Sequence, residues 1–165
     1  MRLIKPSVEI IKQEEYDLNH IFKFIELAGR TCYKSEDKIT EDSAKKFVDR
    51  MIKSGHGAML EHGTVYLRYD FKAEGDSNST AYWLWSKYNK NKYSESVQAQ
   101  PILGVPNGFV AITTNYRVLV ENDWLDDLKY LCEPTEYHKK RVCVRFICDR
   151  GVSHEFVRHK LLCAA

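Results

Sequence analysis

The sequence has no apolar run long enough to cross a bilayer, and residues 1–30 carry lysine, glutamate and aspartate throughout. A membrane-spanning helix needs about 20 mostly apolar residues, and a secretory signal needs an uncharged apolar segment. The sequence therefore predicts neither kind of segment, and we expect a cytoplasmic protein.

The sequence also lacks the short motifs that hold phosphates, metals or activated nucleophiles. It has no Gly-x-Gly-x-x-Gly, Walker-type or nucleophile-elbow motif. Its five cysteines are odd in number and have no Cys-x-x-Cys spacing, which argues against a disulfide framework and a zinc ribbon. His154-Glu155 and His159 suggest a zincin, but histidines five residues apart point about 140° away from each other on a helix. We therefore expect no metal site.

The composition is that of a folded domain. Hydrophobic residues make up 44% of the chain, and Tyr 10, Phe 7 and Trp 3 provide large side chains for burial. At 19.3 kDa the chain can form one core, so we expect a single domain at 1–165. The net charge of +2 is too small to indicate nucleic-acid binding by itself.

Hydrophobic periodicity predicts an α+β fold with an antiparallel or mixed central sheet flanked by helices. Strands are predicted at 8–12, 65–71, 109–112 and 138–149, the last one central because both of its faces are partly apolar. Helices are predicted at 18–27, 44–52 and 114–132, with a break near Asn122-Asp123, and from about residue 153. Asp17 or Asn19 is expected to cap the first helix and Thr40 the second, which should end at Ser54-Gly55.

Three stretches are less regular. Residues 72–80 are rich in turn formers and are expected to form a loop, and 101–108 should be irregular. The aromatic residues between 81 and 93 could form a stacking surface, although such residues more often anchor a core, and we favour the core. They are Trp83, Trp85, Tyr88 and Tyr93.

Two segments contain the candidate ligand-binding residues. The first is Gly55-His56-Gly57-Ala58-Met59-Leu60-Glu61-His62, just before a predicted strand. The second is Arg158-His159-Lys160, which follows the turn formers 149–154 at a strand-to-helix junction. Such a cationic triplet is tolerated only in solvent or opposite an anion, and a helix start with nearby cations is a general phosphate site. Glu155, at helical spacing, could pair with Arg158 or His159.

Together these segments resemble the flavin-dependent thymidylate synthases. That family has His-x-Ser/Thr-x-x-Glu-His before a strand and Arg-His-Arg-x-x-Ser on a later helix; His56, Glu61, His62, Arg158 and His159 match. Segments 28–33 and 142–155 also look like family sequence. The resemblance thus covers most of the chain, but only the amino-terminal part of the family domain, and implies an incomplete version of its fold.

The resemblance implies reductive methylation of dUMP to dTMP, with methylenetetrahydrofolate as carbon donor, NADPH as hydride source and FAD as cofactor. It implies a homotetramer with active sites built across subunits. The implied FAD-binding residues are His56, Ala58, Arg158, His159, Lys160 and Leu161. The implied dUMP-binding residues are Glu155, Phe156, Val157 and Arg158.

The chain departs from the family pattern at several positions. Ala58 replaces a hydroxyl residue, Lys160 replaces an arginine and so loses its planar fork, and Cys163 replaces a serine. The later Glu, the Arg-Tyr pair and the catalytic arginine of the family have no counterpart, so the catalytic residue is unknown and we expect reduced synthase activity.

Two alternatives stay open at this point. One is a non-catalytic FAD or nucleotide binder that associates with a relative. The other is a basic, aromatic nucleic-acid binder, which the 23 acidic residues make the less favoured of the two. It would use segment 83–93 and the cations Lys139, Lys140, Arg141, Arg145 and Arg150.

Overall fold

Two antiparallel sheets flanked by helices make up the part of the chain that the computed structural model describes, namely residues 5–13, 15–72, 77–100 and 107–156, with the backbone alone at 77 and 78. This confirms the predicted α+β class. The elements are β1 Ser7–Ile11, α1 Leu18–Cys32, α2 Ser43–Lys53, β2 Thr64–Lys72, α3 Ser77–Asn89, β3 Glu95–Ala99, β4 Asn107–Asn115, α4 Tyr116–Glu121, β5 Cys143–Ile147 and α5 Arg150–Phe156. Short 3-10 helices lie at Glu36–Lys38, Gly57–His62 and Leu125–Tyr130.

The larger sheet has the strand order β2-β4-β3, so β4 lies in the middle. β2 pairs with β4 from Thr64↔Asn115 to Lys72↔Asn107. One face of this pair packs against α3; its apolar side chains include Val65, Leu67, Val110 and Ile112, and those of α3 are Ala81, Leu84 and Tyr88. This face shares one core with apolar residues of α1, α2 and α4, and apolar burial is the main term that favours folding.

Residues 131–141, here named the 131–141 segment, follow the free edge of β2. The Cys132 N–H donates to the Tyr66 carbonyl at 3.0 Å, and the Arg141 N–H donates to the Tyr66 hydroxyl at 3.0 Å. The Arg141 guanidinium also donates to the carbonyls of Thr114 and Tyr93. An open strand edge leaves backbone N–H and C=O groups without hydrogen-bond partners, and this segment supplies partners for some of those of β2.

Helices α1 and α2 pack together around a buried carboxylate. Glu26 is 1% exposed, and it accepts hydrogen bonds from the Arg30 guanidinium at 3.0 Å and from the Ser43 hydroxyl at 2.8 Å. The start of α1 is capped by Asp17, whose carboxylate accepts from the His20 N–H at 2.7 Å. Of the two predicted caps, Asp17 is therefore correct and Asn19 is not.

The second sheet contains only β1 and β5 among the described residues. Val8 pairs with Phe146 and Ile10 with Val144, so these four apolar side chains share one face. All four are exposed, Val8 to 66% and Phe146 to 44%. The prediction that 138–149 forms a central strand is therefore wrong: a strand of a two-stranded sheet is an edge strand.

Other boundaries differ from the prediction for local reasons. Thr40 does not cap α2, because the Ser43 hydroxyl takes both hydrogen bonds of the Thr40 backbone and the helix begins three residues later. Residues 77–80 begin α3 instead of ending a loop, and residues 114–115 end β4 instead of beginning a helix. α5 begins at Arg150, before the predicted residue 153. Residues 73–76 and 101–106 lie outside the described residues.

The break predicted near Asn122-Asp123 is confirmed, because Asp123 has φ 59° between α4 and the Leu125–Tyr130 helix. Among the described helices, none combines the length and apolar character that a membrane crossing requires. The assignment of 1–165 to one domain stays a prediction.

Gly29 provides a test of the α1–α2 packing. A Cβ at this position would lie 2.4 Å from Cζ of the buried Phe47, whose ring also has the Arg30 guanidinium over it at 5.0 Å. We expect Gly29→Ala to lower the free energy of unfolding by about 1–3 kcal/mol through overpacking, although alanine ordinarily stabilises a helix. Urea unfolding measures this change.

The exposed substitution Lys23→Ala on the same helix is the control, and we expect it to change the unfolding free energy by less than about 0.5 kcal/mol. An increase in stability of Gly29→Ala over the unsubstituted protein would contradict the packing described.

Candidate functional site

The first motif forms a tight connection between α2 and β2. α2 ends in a Schellman motif: Gly55 has φ 71°, the His56 N–H donates to the Met51 carbonyl at 2.9 Å, and the Gly55 N–H donates to the Ile52 carbonyl at 3.1 Å. The Gly57–His62 helix follows at once and leads into β2. Leu60, 1% exposed, anchors this helix in the core, whereas His56 and Ala58 are exposed.

The Glu61 side chain forms an ion pair with Arg117 of α4. The Arg117 guanidinium of α4 pairs with the Glu61 carboxylate and, at 2.6 Å, with the Glu121 carboxylate. The hydrogen bond to Glu121 raises the pKa of Arg117, and the bond to Glu61 acts in the same direction. A side chain on Gly57 would approach Arg117 Nε to 3.1 Å, so glycine leaves room for this ion pair. Glu61 therefore holds the Gly57–His62 helix against α4.

The two histidines of the motif differ in environment. His62 is half-buried, and burial lowers its pKa although the Glu61 carboxylate acts in the opposite direction. His56 is exposed, and its Nδ1 lies 3.3 Å from the hydroxyl of Tyr33, the C-cap residue that follows α1. His56 is therefore the accessible imidazole of this motif.

The connection from α1 to α2 contacts both motif regions. Tyr33 bonds to His56, and Glu36, three residues later, lies 4.0 Å from the Arg145 guanidinium of β5. β5 leads directly to α5 and the second motif. The sequence did not identify Tyr33 as a partner of His56, although it lies in segment 28–33, which also looks like family sequence.

At the start of α5, a carboxylate occupies the position where the sequence suggested an anion site. The Asp149 side chain accepts a hydrogen bond from the Val152 N–H at 3.0 Å, and its carbonyl accepts from the Ser153 N–H. The Val152 N–H is therefore not free for a phosphate. On the helix itself, Arg150 Nε lies 3.3 Å from His154 Nε2.

Only part of the predicted set of binding residues can be located. Glu155 is exposed near the end of α5, and Phe156 packs against Phe146 with ring centroids 4.9 Å apart. Five predicted residues lie outside the described residues: Val157, Arg158, His159, Lys160 and Leu161. The predicted cationic triplet and its distance from His56 therefore stay predictions.

A cysteine and a histidine that the sequence did not single out lie together on the 131–141 segment. Cys132 Sγ is 3.9 Å from His138 Nε2. His138 Nδ1 accepts from the Thr135 N–H at 3.0 Å, so the ring proton is on Nε2, which lies 3.1 Å from the Leu67 carbonyl. Nε2 therefore acts as a donor and is not available as a base for the thiol. Burial raises the pKa of Cys132 to about 11 and lowers the pKa of His138.

These shifts oppose nucleophilic catalysis, which needs a thiolate near neutral pH. The pair instead fastens the 131–141 segment to β2.

Most cations proposed for nucleic-acid binding already have partners. Lys139 pairs with Glu95 at 2.8 Å, and Arg141 donates to backbone carbonyls. Arg145 faces Glu36, and Arg150 faces His154. Of the aromatic residues, Tyr88 is in the core and Trp85 packs against it, whereas Trp83 and Tyr93 are exposed. The expectation of a core role is thus confirmed for Tyr88 and Trp85 and is wrong for Trp83 and Tyr93.

One group of potential metal ligands occurs within the described residues: Glu15, Asp17 and His20. Asp17 caps α1, and His20 Nδ1 lies 2.7 Å from Glu15. These exposed acids have local partners, and we assign no metal to them.

Comparison of the chain with family models, with curated proteins and with solved structures found no match.

The raised pKa of Cys132 predicts slow alkylation. At pH 8 the thiolate fraction of a thiol with a pKa near 11 is on the order of 100-fold smaller than that of an ordinary cysteine. We expect iodoacetamide to modify the exposed Cys32 and Cys148 well before Cys132. Peptide mapping of briefly alkylated native protein measures the order, and the same experiment in urea should remove the difference.

The lowered pKa of His138 predicts a pH-dependent stability contribution. Its folded pKa lies below the unfolded value of about 6.5, so its neutral form contributes fully above that pH and the contribution is lost as the pH falls towards the folded pKa. The difference in unfolding free energy between the unsubstituted protein and His138→Gln should therefore shrink between about pH 7.5 and pH 5.

Urea unfolding at each pH gives this difference, and the exposed His154→Gln serves as the control. A difference that stays constant, or grows in acid, would show that His138 is not held in its neutral form.

Proposed function

We propose that this protein is a flavin-dependent thymidylate synthase-like protein, whose reaction is the reductive methylation of dUMP to dTMP. The observation that carries the proposal is the arrangement of the first motif: Glu61 is used to anchor the motif helix, and His56 is left exposed. The exposed His56 imidazole and the Tyr33 hydroxyl beside it are open to a ligand from solvent.

A second observation concerns the region that carries the other motif. The α1–α2 connection contacts His56 through Tyr33 and β5 through Glu36. Since β5 leads to α5, the two motif regions flank one connection instead of lying at unrelated ends of the chain. This supports a shared ligand site.

The described residues fit one edge of an FAD site. His56 and Ala58 are both exposed on one short segment, where a planar ring system could approach them from solvent. Ala58 offers no hydroxyl, so the imidazole and the Tyr33 phenol supply the polar groups at this edge. When bound, FAD would carry reducing equivalents from NADPH to the carbon that methylenetetrahydrofolate donates.

The remaining contacts of the proposed site belong to the second motif. Arg158, His159 and Lys160, with Leu161 beside them, would hold FAD, and Glu155, Phe156, Val157 and Arg158 would bind dUMP. Lysine at position 160 would hold a phosphate as a point charge, without the two parallel hydrogen bonds that arginine forms.

Location and assembly belong to the same proposal. The four described cysteines are free thiols, which suits a reducing compartment such as the cytoplasm. A homotetramer is supported by the exposed apolar face of the β1–β5 sheet, because such surface is normally covered in an assembly.

FAD titration of the full chain, followed by quenching of flavin fluorescence, tests the proposal together with tritium release from 5-tritiated dUMP. We expect saturable FAD binding that His56→Ala weakens roughly tenfold, the effect of losing one hydrogen bond of about 1.5 kcal/mol. His20→Ala is the matched control, since His20 lies at the opposite end of α1, about 20 Å from Tyr33.

The outcomes separate the candidate functions. Tritium release that depends on FAD and His56 supports the synthase. FAD binding without release favours the non-catalytic binder, and absence of FAD binding contradicts the synthase and leaves only the nucleotide-binding form of the alternative. The nucleic-acid binder has little support from the structure, because most of its cations have partners within the chain.

A further inference from the structure

The outward face of α3 carries aromatic side chains that the core does not use. Ala81, Leu84 and Tyr88 point inwards and are fully buried, whereas Tyr82 is 61% exposed and Trp83 is 58% exposed. Exposed indole is uncommon on a helix that already has a complete apolar face, because an aromatic ring in water forgoes a large burial energy. The exposed Trp83 ring is therefore a candidate contact for a ligand.

A buried ion pair holds Trp83 in position. Lys87, one helical turn later, lies with Nζ 3.9 Å from the centroid of the Trp83 ring and 4.9 Å from that of Trp124. The same ammonium pairs with the Asp127 carboxylate at 2.5 Å, and Asp127 also accepts from the Tyr88 hydroxyl at 2.7 Å. Asp127 is only 4% exposed. One face of the indole is thus covered by a fixed cation, so the ring is ordered before any ligand arrives.

Trp83 stands between two clefts. The first cleft, of about 500 Å³, is lined by Tyr82, Trp83, Ser86, Lys90, Asn91 and Asn122, together with Lys87 and Trp124. The second cleft is also lined by Trp83, and its charged lining residues are Asp126, Asp127 and Lys129. Neither cleft is lined by His56, Ala58, Glu155 or Phe156, which are the described residues of the site proposed above.

The polar groups of the first cleft are available to a ligand. Lys90 is exposed, and no carboxylate pairs with it among the described residues. Asn91 uses its side-chain oxygen for the Tyr93 N–H and so has its NH₂ group left to donate. Asn122 uses its NH₂ group for the Val118 carbonyl and has its oxygen left to accept. The cleft thus combines an aromatic platform, a free cation, an amide donor and an amide acceptor.

We propose that this cleft binds a nucleotide, with the base stacked on Trp83 and hydrogen-bonded by the Asn91 and Asn122 amides, and with the phosphate beside Lys90. Base stacking on an aromatic side chain together with a nearby cation is the usual chemistry of such recognition. The first cleft, at about 500 Å³, has the size of a small-molecule site, so a single nucleotide suits it better than a strand. The proposal is independent of the synthase assignment.

Isothermal titration of the full chain with AMP, adenosine, inorganic phosphate and a short oligothymidylate tests the proposal. We expect AMP to bind more tightly than adenosine or phosphate. Trp83→Ala should weaken AMP binding about 5- to 150-fold, the range for loss of one stacked base. Lys90→Gln should weaken AMP binding roughly two- to fivefold, the effect of one exposed charge, and leave adenosine binding unchanged.

The controls are Tyr93→Ala, an exposed aromatic residue that does not line the cleft, and Lys92→Gln, which makes the same charge change outside it. Neither should alter AMP binding. Trp83→Ala removes a contact of Lys87 and so could destabilise the fold. Lys90 is exposed, so Lys90→Gln should leave the fold intact and tests the phosphate contact independently.

Three results would overturn the proposal. The first is no saturable binding of AMP. The second is AMP binding that neither Trp83→Ala nor Lys90→Gln changes, which would place the nucleotide in another site, including the one proposed for FAD and dUMP. The third is much tighter binding of oligothymidylate than of AMP, which would identify the cleft as part of a single-strand path.

Discussion

The antiparallel pairing of β2 with β4 is the constraint on which the candidate site depends. Because the strands run in opposite directions, the residues that precede β2 meet those that follow β4. The Tyr116 N–H donates to the Gly63 carbonyl at 2.8 Å, which joins the end of the motif helix to the start of α4. Arg117 on α4 then reaches Glu61. A different register would separate this ion pair, and the motif helix would lose its support.

The polar groups buried around this sheet serve mainly to fix the positions of segments. Glu26 joins α1 to α2, Asp127 joins α3 to the Leu125–Tyr130 helix, and His138 joins the 131–141 segment to β2. Each has hydrogen-bond partners, as buried polar groups require. The groups that the two proposals use are exposed: the His56 imidazole at one place, and the Trp83 indole with the Lys90 ammonium at another.

These two places differ in how they are built. His56 is positioned by backbone geometry, namely the end of α2 and the turn at Gly55, and among the described residues its side chain contacts the phenol of Tyr33. Trp83 is positioned by side chains, through Lys87 and the carboxylate beneath it. The proposed FAD site would take its cations from residues beyond 156, whereas all residues of the proposed nucleotide cleft lie within the described part of the chain.

The sequence by itself determined the elements whose signals are local. The periodicity of α1, the alternation of β2, the glycine that ends α2 and the break after α4 all follow from neighbours within a few residues. The motif around His56 was visible for the same reason. Local signals could not show that β5 pairs only with β1 in the described part of the chain, since apolar residues on both strand faces occur at buried and exposed positions alike.

The tertiary structure alone decided which charged and aromatic groups are available. Nothing in the chain order indicates that Arg117 pairs with Glu61, that Cys132 lies beside a histidine acting as a donor, or that Tyr88 is buried while Trp83 is not. Those outcomes depend on contacts between residues far apart in sequence, and such contacts are set by strand register and helix packing. Residue type limits what a side chain can do, but its partners in the fold determine whether that capacity is still free.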